Sequence, residues 1–205
     1  MSDTTWNSSN TRIVVDSATN VPLLLRDQYN MIEVPVLVNF GTESFRDNID
    51  LRPEEFYERF AASEVVPTTS QPPPKYFADA YQQAFDEGAR HVIVVTITGQ
   101  LSGTLASSQT ATQFWEAGTL ETVALEPDFH QPGSRAGQVA DEERFLFWDS
   151  ESISMGSGWQ AVAAARMLEE GLERRELVER LYEIRSRLIG FATLDTLKYV
   201  ALSGR

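Results

Sequence analysis

Residues His91 to Thr98 read HVIVVTIT, a β-branched apolar run without polar alternation. Such a run is stable as a strand only when both faces are covered, which is the situation of a strand in a parallel sheet flanked by helices. Arg12 to Asp16, RIVVD, has the same character and is closed by Asp16, Ser17, Thr19 and Asn20 before Pro22 opens a short helix. Met31 to Phe40 reads as a second strand, with Gly41 and Thr42 turning into a short ESFR segment, and RFLFWDS reads as another strand ending in Asp149 and Ser150.

Helical patterns separate these strands. Pro53, Glu54 and Glu55 open one whose apolar face carries Phe56, Phe60 and Ala61. In PTTSQPPPKYFADAYQQAFDEG, Ser70 is a candidate cap, the prolines suit a first turn and Gly88 suits the end, with Tyr76, Phe77, Ala80, Tyr81 and Ala84 facing the core. GQLSGTLASSQTATQF is a glycine and hydroxyl turn leading into a further helix, and GWQAVAAARMLEE is a helix stopped by Gly171. An amphipathic helix is predicted over Glu173 to Arg187, then a strand at IGFAT and a last short helix in DTLKYVALSGR. The alternation predicts an α/β fold with a mainly parallel sheet and flanking helices. Residues 1–10 read as a polar, disordered lead, and 116–144, rich in acids with Pro127, His130, Pro132 and Gly133, as a surface insertion in an N-terminal α/β domain spanning 11–157.

Composition narrows the function. At 205 residues and 42% hydrophobic the chain can bury a real core. Acidic residues outnumber basic ones 30 to 17, a formal charge of −13, so the clustered cations that nucleic acid or an anionic membrane surface needs are lacking. The absence of cysteine excludes disulfides, cysteine-ligated zinc and thiol nucleophiles. The start, MSDTTWNSSN, has neither a basic segment nor an apolar run, and no stretch approaches the roughly 18 consecutive apolar residues of a membrane span, so a cytoplasmic location is expected. No cofactor or metal is called for, since neither glycine-rich nucleotide fingerprint occurs and His91 and His130 make no metal set.

Ligands of open α/β sheets gather at the carboxyl ends of the strands. There the chain places hydroxyl-rich loops, Thr68 to Gln71 and Thr98 to Thr104, with Asp16 to Thr19 and Ser150 to Ser157 beside them. Free N–H groups at a helix start, with serine and threonine hydroxyls, suit a singly charged anion without lysine. For any single loop, capping alone explains a serine or threonine. LSGT goes further, because a cap needs one hydroxyl and Ser102 and Thr104 supply two around Gly103, where an anion can approach the main chain. Asp16 and Asp149 raise the question of a paired-carboxylate catalyst, but turn and capping roles are favoured, since carboxylates beside an anion site repel the ligand. A serine hydrolase based on Ser102 is the enzymatic rival. Its spacing is G-x-x-S-G instead of the nucleophile elbow, with only His130 downstream as a base.

Taken together, VDSATNVP, VPVLVNFG, PTTSQPPP, GQLSGTLASS, WDSESISMGSG and LDTLKYVALSGR resemble, in order and spacing, the DegV family of fatty-acid-binding proteins. The resemblance implies a non-enzymatic carrier in which a long-chain fatty acid lies between an N-terminal α/β domain and a C-terminal α+β domain. It also implies a separate ATP-using fatty acid kinase to which the acid is presented. On that resemblance Thr69, Ser70 and Ser102 would hold the carboxylate, Gly103 and Thr104 would shape the turn, and Arg205 would match an arginine near the head group. The glycine pair that precedes this arginine in the family is Ser203 and Gly204 here. Residues 158–205 correspond only to the beginning of the second, α+β domain, so the chain is read as C-terminally truncated. The alternative is a module for another small carboxylate, or a truncated form that binds none.

Overall fold

The computed structural model describes residues 5–114, 144–191 and 193. In chain order the elements are β1 (Thr5–Trp6), β2 (Thr11–Asp16), α1 (Leu23–Gln28), β3 (Ile32–Val34), β4 (Leu37–Phe40), β5 (Glu43–Arg46), α2 (Pro53–Ala62) and β6 (Thr68–Ser70). They continue as α3 (Pro74–Asp86), β7 (His91–Thr96), α4 (Thr104–Thr110), β8 (Phe145–Asp149), α5 (Met155–Glu170), β9 (Leu172–Glu173) and α6 (Arg174–Arg187).

The main sheet is parallel, in the order β3-β2-β7-β8. Every residue of β7 is buried, as its unbroken apolar run predicts. Alternation along the strands sends Ile13, Val15, Ile93, Val95, Leu146 and Trp148 to one face, where α5 and α6 cover them. Val14, Ile32, Val34, Val92, Val94 and Phe145 go to the other face, under α3. Each such valine or isoleucine contributes about 1.5–3 kcal/mol relative to exposure, so the two helical layers are held chiefly by this one sheet. The expected α/β architecture with a parallel sheet and flanking helices is the one observed.

Several local expectations change. The continuous strand read over Met31 to Phe40 is two strands in different sheets. Pro35 has no N–H to continue the ladder, and the chain leaves the parallel sheet as the Val36 N–H bonds to Ser17 Oγ at 3.1 Å. β4 then centres a three-stranded antiparallel sheet, β5-β4-β6, packed through Val38, Phe40 and Leu51 on Phe45, Phe56 and Phe60. Thr68 to Ser70 is an edge strand of this sheet and not the cap of α3, which Pro73 precedes without a side-chain cap. Ile189, Gly190 and Phe191 carry no strand. The terminal helix expected in DTLKYVALSGR lies outside the described residues, as does the insertion 116–144 apart from Arg144.

From Thr5 the polar lead is ordered. β1 pairs antiparallel with β9, and Trp6, 2% exposed, stacks on His91 with ring centroids 4.6 Å apart. At the other end of the sheet, the 157/158 boundary falls inside α5, whose first turns are fixed by buried Gln160. Its amide accepts from Trp148 Nε1 at 2.7 Å and donates to the carbonyls of Ser150 and Gly156, each at 2.9 Å. Gly158 lets α5 close on the turn after β2, since a Cβ there would lie 2.5 Å from the main-chain oxygen of Thr19. The obstructing atom is backbone and cannot rotate away. Gly158→Ala is therefore expected to lower the unfolding free energy by about 1–3 kcal/mol in urea titrations.

Candidate functional site

The chain runs from β2 to β3 on one side and later to β7 on the other, so the β2/β7 boundary is the topological switch point where loops diverge from the carboxyl edge. The loop after β7, Ile97 to Gly103, leaves from this point and enters α4 at Thr104. Ser102 Oγ lies 2.7 Å from Thr104 Oγ1 and accepts the Thr104 N–H at 3.3 Å. Ser102 is half-buried, Gly103 exposed and Thr104 fully buried, so the hydroxyl pair spans from the interior to the surface.

The second hydroxyl loop reaches this one through side chains the sequence reading did not single out. Gln71 lies over Gly103, where a Cβ would come within 3.1 Å of Gln71 Nε2. Ser107 Oγ donates a short hydrogen bond to the carbonyl of Pro72. Thr69 and Ser70 are exposed on β6, and Ser70 Oγ accepts from Asn39 Nδ2 of β4 at 2.9 Å. The structure thus joins the segment just after Ser70 to the loop of Ser102, Gly103 and Thr104 through Gln71 and Pro72. Arg205 lies outside the described residues. The signal for Gln71 was its place within TSQP; Asn39 had none in the sequence, since its place beside Ser70 follows from the β4–β6 pairing.

Both strand-ending aspartates hold main chain. Asp16, 0% exposed, accepts from Ile97 N at 2.9 Å and from Thr19 N at 3.1 Å. Asp149 accepts from Gly99 N at 3.2 Å and from Glu151 N at 2.9 Å. Arg185 of α6, also unanticipated, donates to the Asp149 carbonyl at 2.8 Å, with its guanidinium 4.6 Å from the Trp148 ring centroid. Ser102 bonds to a threonine hydroxyl, while His91 sits at the opposite, amino edge of β7 and His130 lies outside the described residues. Among the described residues no group of three His, Cys, Asp or Glu could hold a metal ion, and no helix is long and apolar enough to cross a membrane. A groove of about 240 Å³ runs beside β3 and α3, lined by Ile32, Pro35, Ile49 and Tyr76, and includes none of the hydroxyl-loop residues.

This geometry defines an α/β protein that gathers hydroxyl-bearing loops at the carboxyl edge of a parallel sheet. The chain belongs to the DegV family, whose sequence model, described as "Uncharacterised protein, DegV family", matches residues 10–205. It is similar to a DegV domain-containing protein of Caldanaerobacter subterraneus subsp. tengcongensis, 29% identical over 196 residues that cover 94% of this chain and 59% of that protein. Among solved structures, a fatty-acid-binding DegV family protein from Thermus thermophilus superposes with a TM-score of 0.74 at 28% identity, covering 96% of this chain and 60% of that one. A stearic acid-binding protein from Eubacterium ventriosum gives 0.73 at 26%, covering 94% and 59%. The chain thus spans about three fifths of the length of these relatives.

Burial pushes the Asp16 carboxyl up to about 6, against the pull of the N–H groups of Ile97, Thr19 and Ala18, and Glu33 adds to the rise. The folded protein therefore binds this proton more tightly than the unfolded chain does. The associated stability is present in full below the ordinary aspartate range near 3.8 and is lost as pH rises through about 6. In urea titrations from about pH 4 to about pH 7, the stability of wild type relative to Asp16→Asn should fall with rising pH.

Proposed function

We propose that this chain binds a long-chain fatty acid, with the carboxylate at the rim formed by Thr69, Ser70 and Ser102 and with Gly103 and Thr104 shaping the turn. The observation that carries the reading is the junction of the two hydroxyl loops through Gln71 on Gly103 and Ser107 on Pro72. Hydroxyls from separate elements converging on one rim suit an anionic head without lysine. Exposed Leu101 and Ile153 of the loops and Met155 at the start of α5 lie at the same edge, the kind of surface an acyl chain covers. The fatty-acid-binding relatives from Thermus thermophilus and Eubacterium ventriosum support the same class of ligand.

In this reading the protein is a carrier without catalysis of its own, acting in the cytoplasm, and it presents the acid to a fatty acid kinase. The exposure of Thr68, Thr69 and Ser70 supports a head group reachable by such a partner. In this reading Arg205 supplies a cation near the head, while α5 and α6, which take up most of the expected start of a second domain at 158–205, pack on the parallel sheet and belong with the first.

Solvent extraction of the purified protein followed by lipid mass spectrometry is expected to recover long-chain acid. Affinity should rise with ligand length from butyrate to palmitate, since each buried methylene contributes about 0.8 kcal/mol. Ser102→Ala should weaken binding by about tenfold or more, the cost of a lost hydrogen bond to a charged group. Failure to take up any long-chain acid, both in this chain and in one extended to the length of its relatives, would refute the proposal. Affinity independent of chain length would favour a short carboxylate instead.

A further inference from the structure

The last row of the parallel sheet before the loops is polar. In register, Val34 of β3 lies beside Asp16 of β2, and Thr96 of β7 lies beside Asp149 of β8. One residue earlier Val15 pairs with Val95, so Asp16 and Thr96 are adjacent and the row runs Val34, Asp16, Thr96, Asp149. Two residues earlier, Ile32, Val14, Val94 and Phe147 point to the α3 face, and strand alternation turns Asp16, Thr96 and Asp149 the same way. A parallel sheet covered on both faces would ordinarily carry apolar residues here. Burying a carboxylate is costly unless it is hydrogen-bonded.

Each carboxylate also holds a main-chain N–H close to it in sequence, Thr19 for Asp16 and Glu151 for Asp149, and gives its remaining hydrogen bonding to one short shared segment. Asp16, from the strand before β7 in the sheet, holds the Ile97 N–H, while Asp149, from the strand beyond, holds the Gly99 N–H. Asp16 also holds Thr19 N–H, so one carboxylate joins the two loops that diverge at the switch point. Gly99 eases this approach, since a Cβ there would make a tight 3.1 Å contact with Asp149 Oδ2. Arg185 steadies the second clamp through the Asp149 carbonyl. Ser102 follows three residues after Gly99.

We propose that Asp16 and Asp149 are positioning residues for the head-group rim, gripping Ile97 and Gly99 from opposite sides so that Ser102 and Thr104 are held in place opposite Thr69 and Ser70. The inference rests on the fatty-acid reading for its ligand, but the clamp itself is defined by geometry. Neither carboxylate is a ligand group, which reconciles two acids with an anion site. They receive backbone N–H groups, and the hydroxyls face the ligand.

Charge enters this grip through Asp16. From β3, Glu33, which Arg26 of α1 holds as an ion pair, acts on it electrostatically from the neighbouring register position. From β7 it meets Thr96 and Ile97, neither charged, and Asp149 stands beyond on β8. α4, which follows the loop, carries no charged side chain. A proton added to Asp16 converts one acceptor oxygen to a donor, and either Ile97 or Thr19 loses its partner.

Asp16→Asn is near-isosteric and keeps one acceptor while setting an NH₂ against the other N–H. Site-resolved amide hydrogen exchange and fatty-acid titration of the whole chain test the inference, with Asp149→Asn as the second variant. Asp16→Asn should lose protection at Ile97 or Thr19, and Asp149→Asn at Gly99. Each should bind palmitate about tenfold more weakly at neutral pH. The affinity gap between wild type and Asp16→Asn should close below about pH 6, whereas a merely structural effect would follow stability, which for this group moves the opposite way. Unchanged protection in both variants would overturn the clamp, and lost protection with unchanged affinity would overturn the positioning role. If the wild type took up no fatty acid, the functional reading would fall while amide exchange still decided the clamp. If Asp16→Asn did not fold, Asp149→Asn would decide both.

Discussion

The pairing of β2 with β7 is the constraint from which the rest of the structure follows. Both strands are buried on both faces, so the chain must supply a helical layer above and below. α3 on one side and α5 with α6 on the other meet that need. Because β3 lies on one side of β2 and β7 on the other, loops part at their shared carboxyl edge and leave an opening there. The small antiparallel sheet contributes through its edge strand β6, whose continuation brings Gln71 onto Gly103 and Pro72 onto Ser107.

Polar groups at this edge are divided by depth. Asp16, buried, and Asp149, half-buried, are occupied with backbone N–H groups, and buried Gln160 closes the indole of Trp148 and two carbonyls. Thr96 Oγ1 is buried without a hydrogen-bond partner among the described residues. Nearer the surface, the half-buried Ser102 hydroxyl bonds that of buried Thr104, an arrangement that leaves acceptor and donor capacity to rearrange on contact with an anion. Rigidity beneath and adaptability above is a sensible division for a site that must recognise a simple head group.

How much of this the sequence disclosed depended on whether the decisive contacts were local. The β7 and β2 strands were legible because burial on both faces writes itself as an unbroken apolar run. The same signal failed at Met31 to Phe40, where apolarity continues across Pro35 although the strand crosses between sheets. Thr68 to Ser70 showed no strand pattern because all three residues are exposed, so the backbone pairing with β4 leaves no apolar alternation in the sequence. Trp6 looked like part of a frayed lead because its burial comes from His91 and Arg174, far along the chain. At the candidate site the hydroxyls could be named from LSGT and TSQP. The contact of Gln71 with Gly103 could not, because it depends on how two separate elements meet.

The ribbon formed by Thr5–Trp6 on Leu172–Glu173 fixes where the start of the described chain emerges. Trp6 stacks on His91, the first residue of β7, so this point lies at the amino edge of the parallel sheet. The six residues of β7 separate it by about 20 Å from the hydroxyl rim. A dye, bead or fused protein attached ahead of Thr5 therefore hangs from the side opposite the loops. Tethered in that way, the molecule turns its carboxyl edge outward.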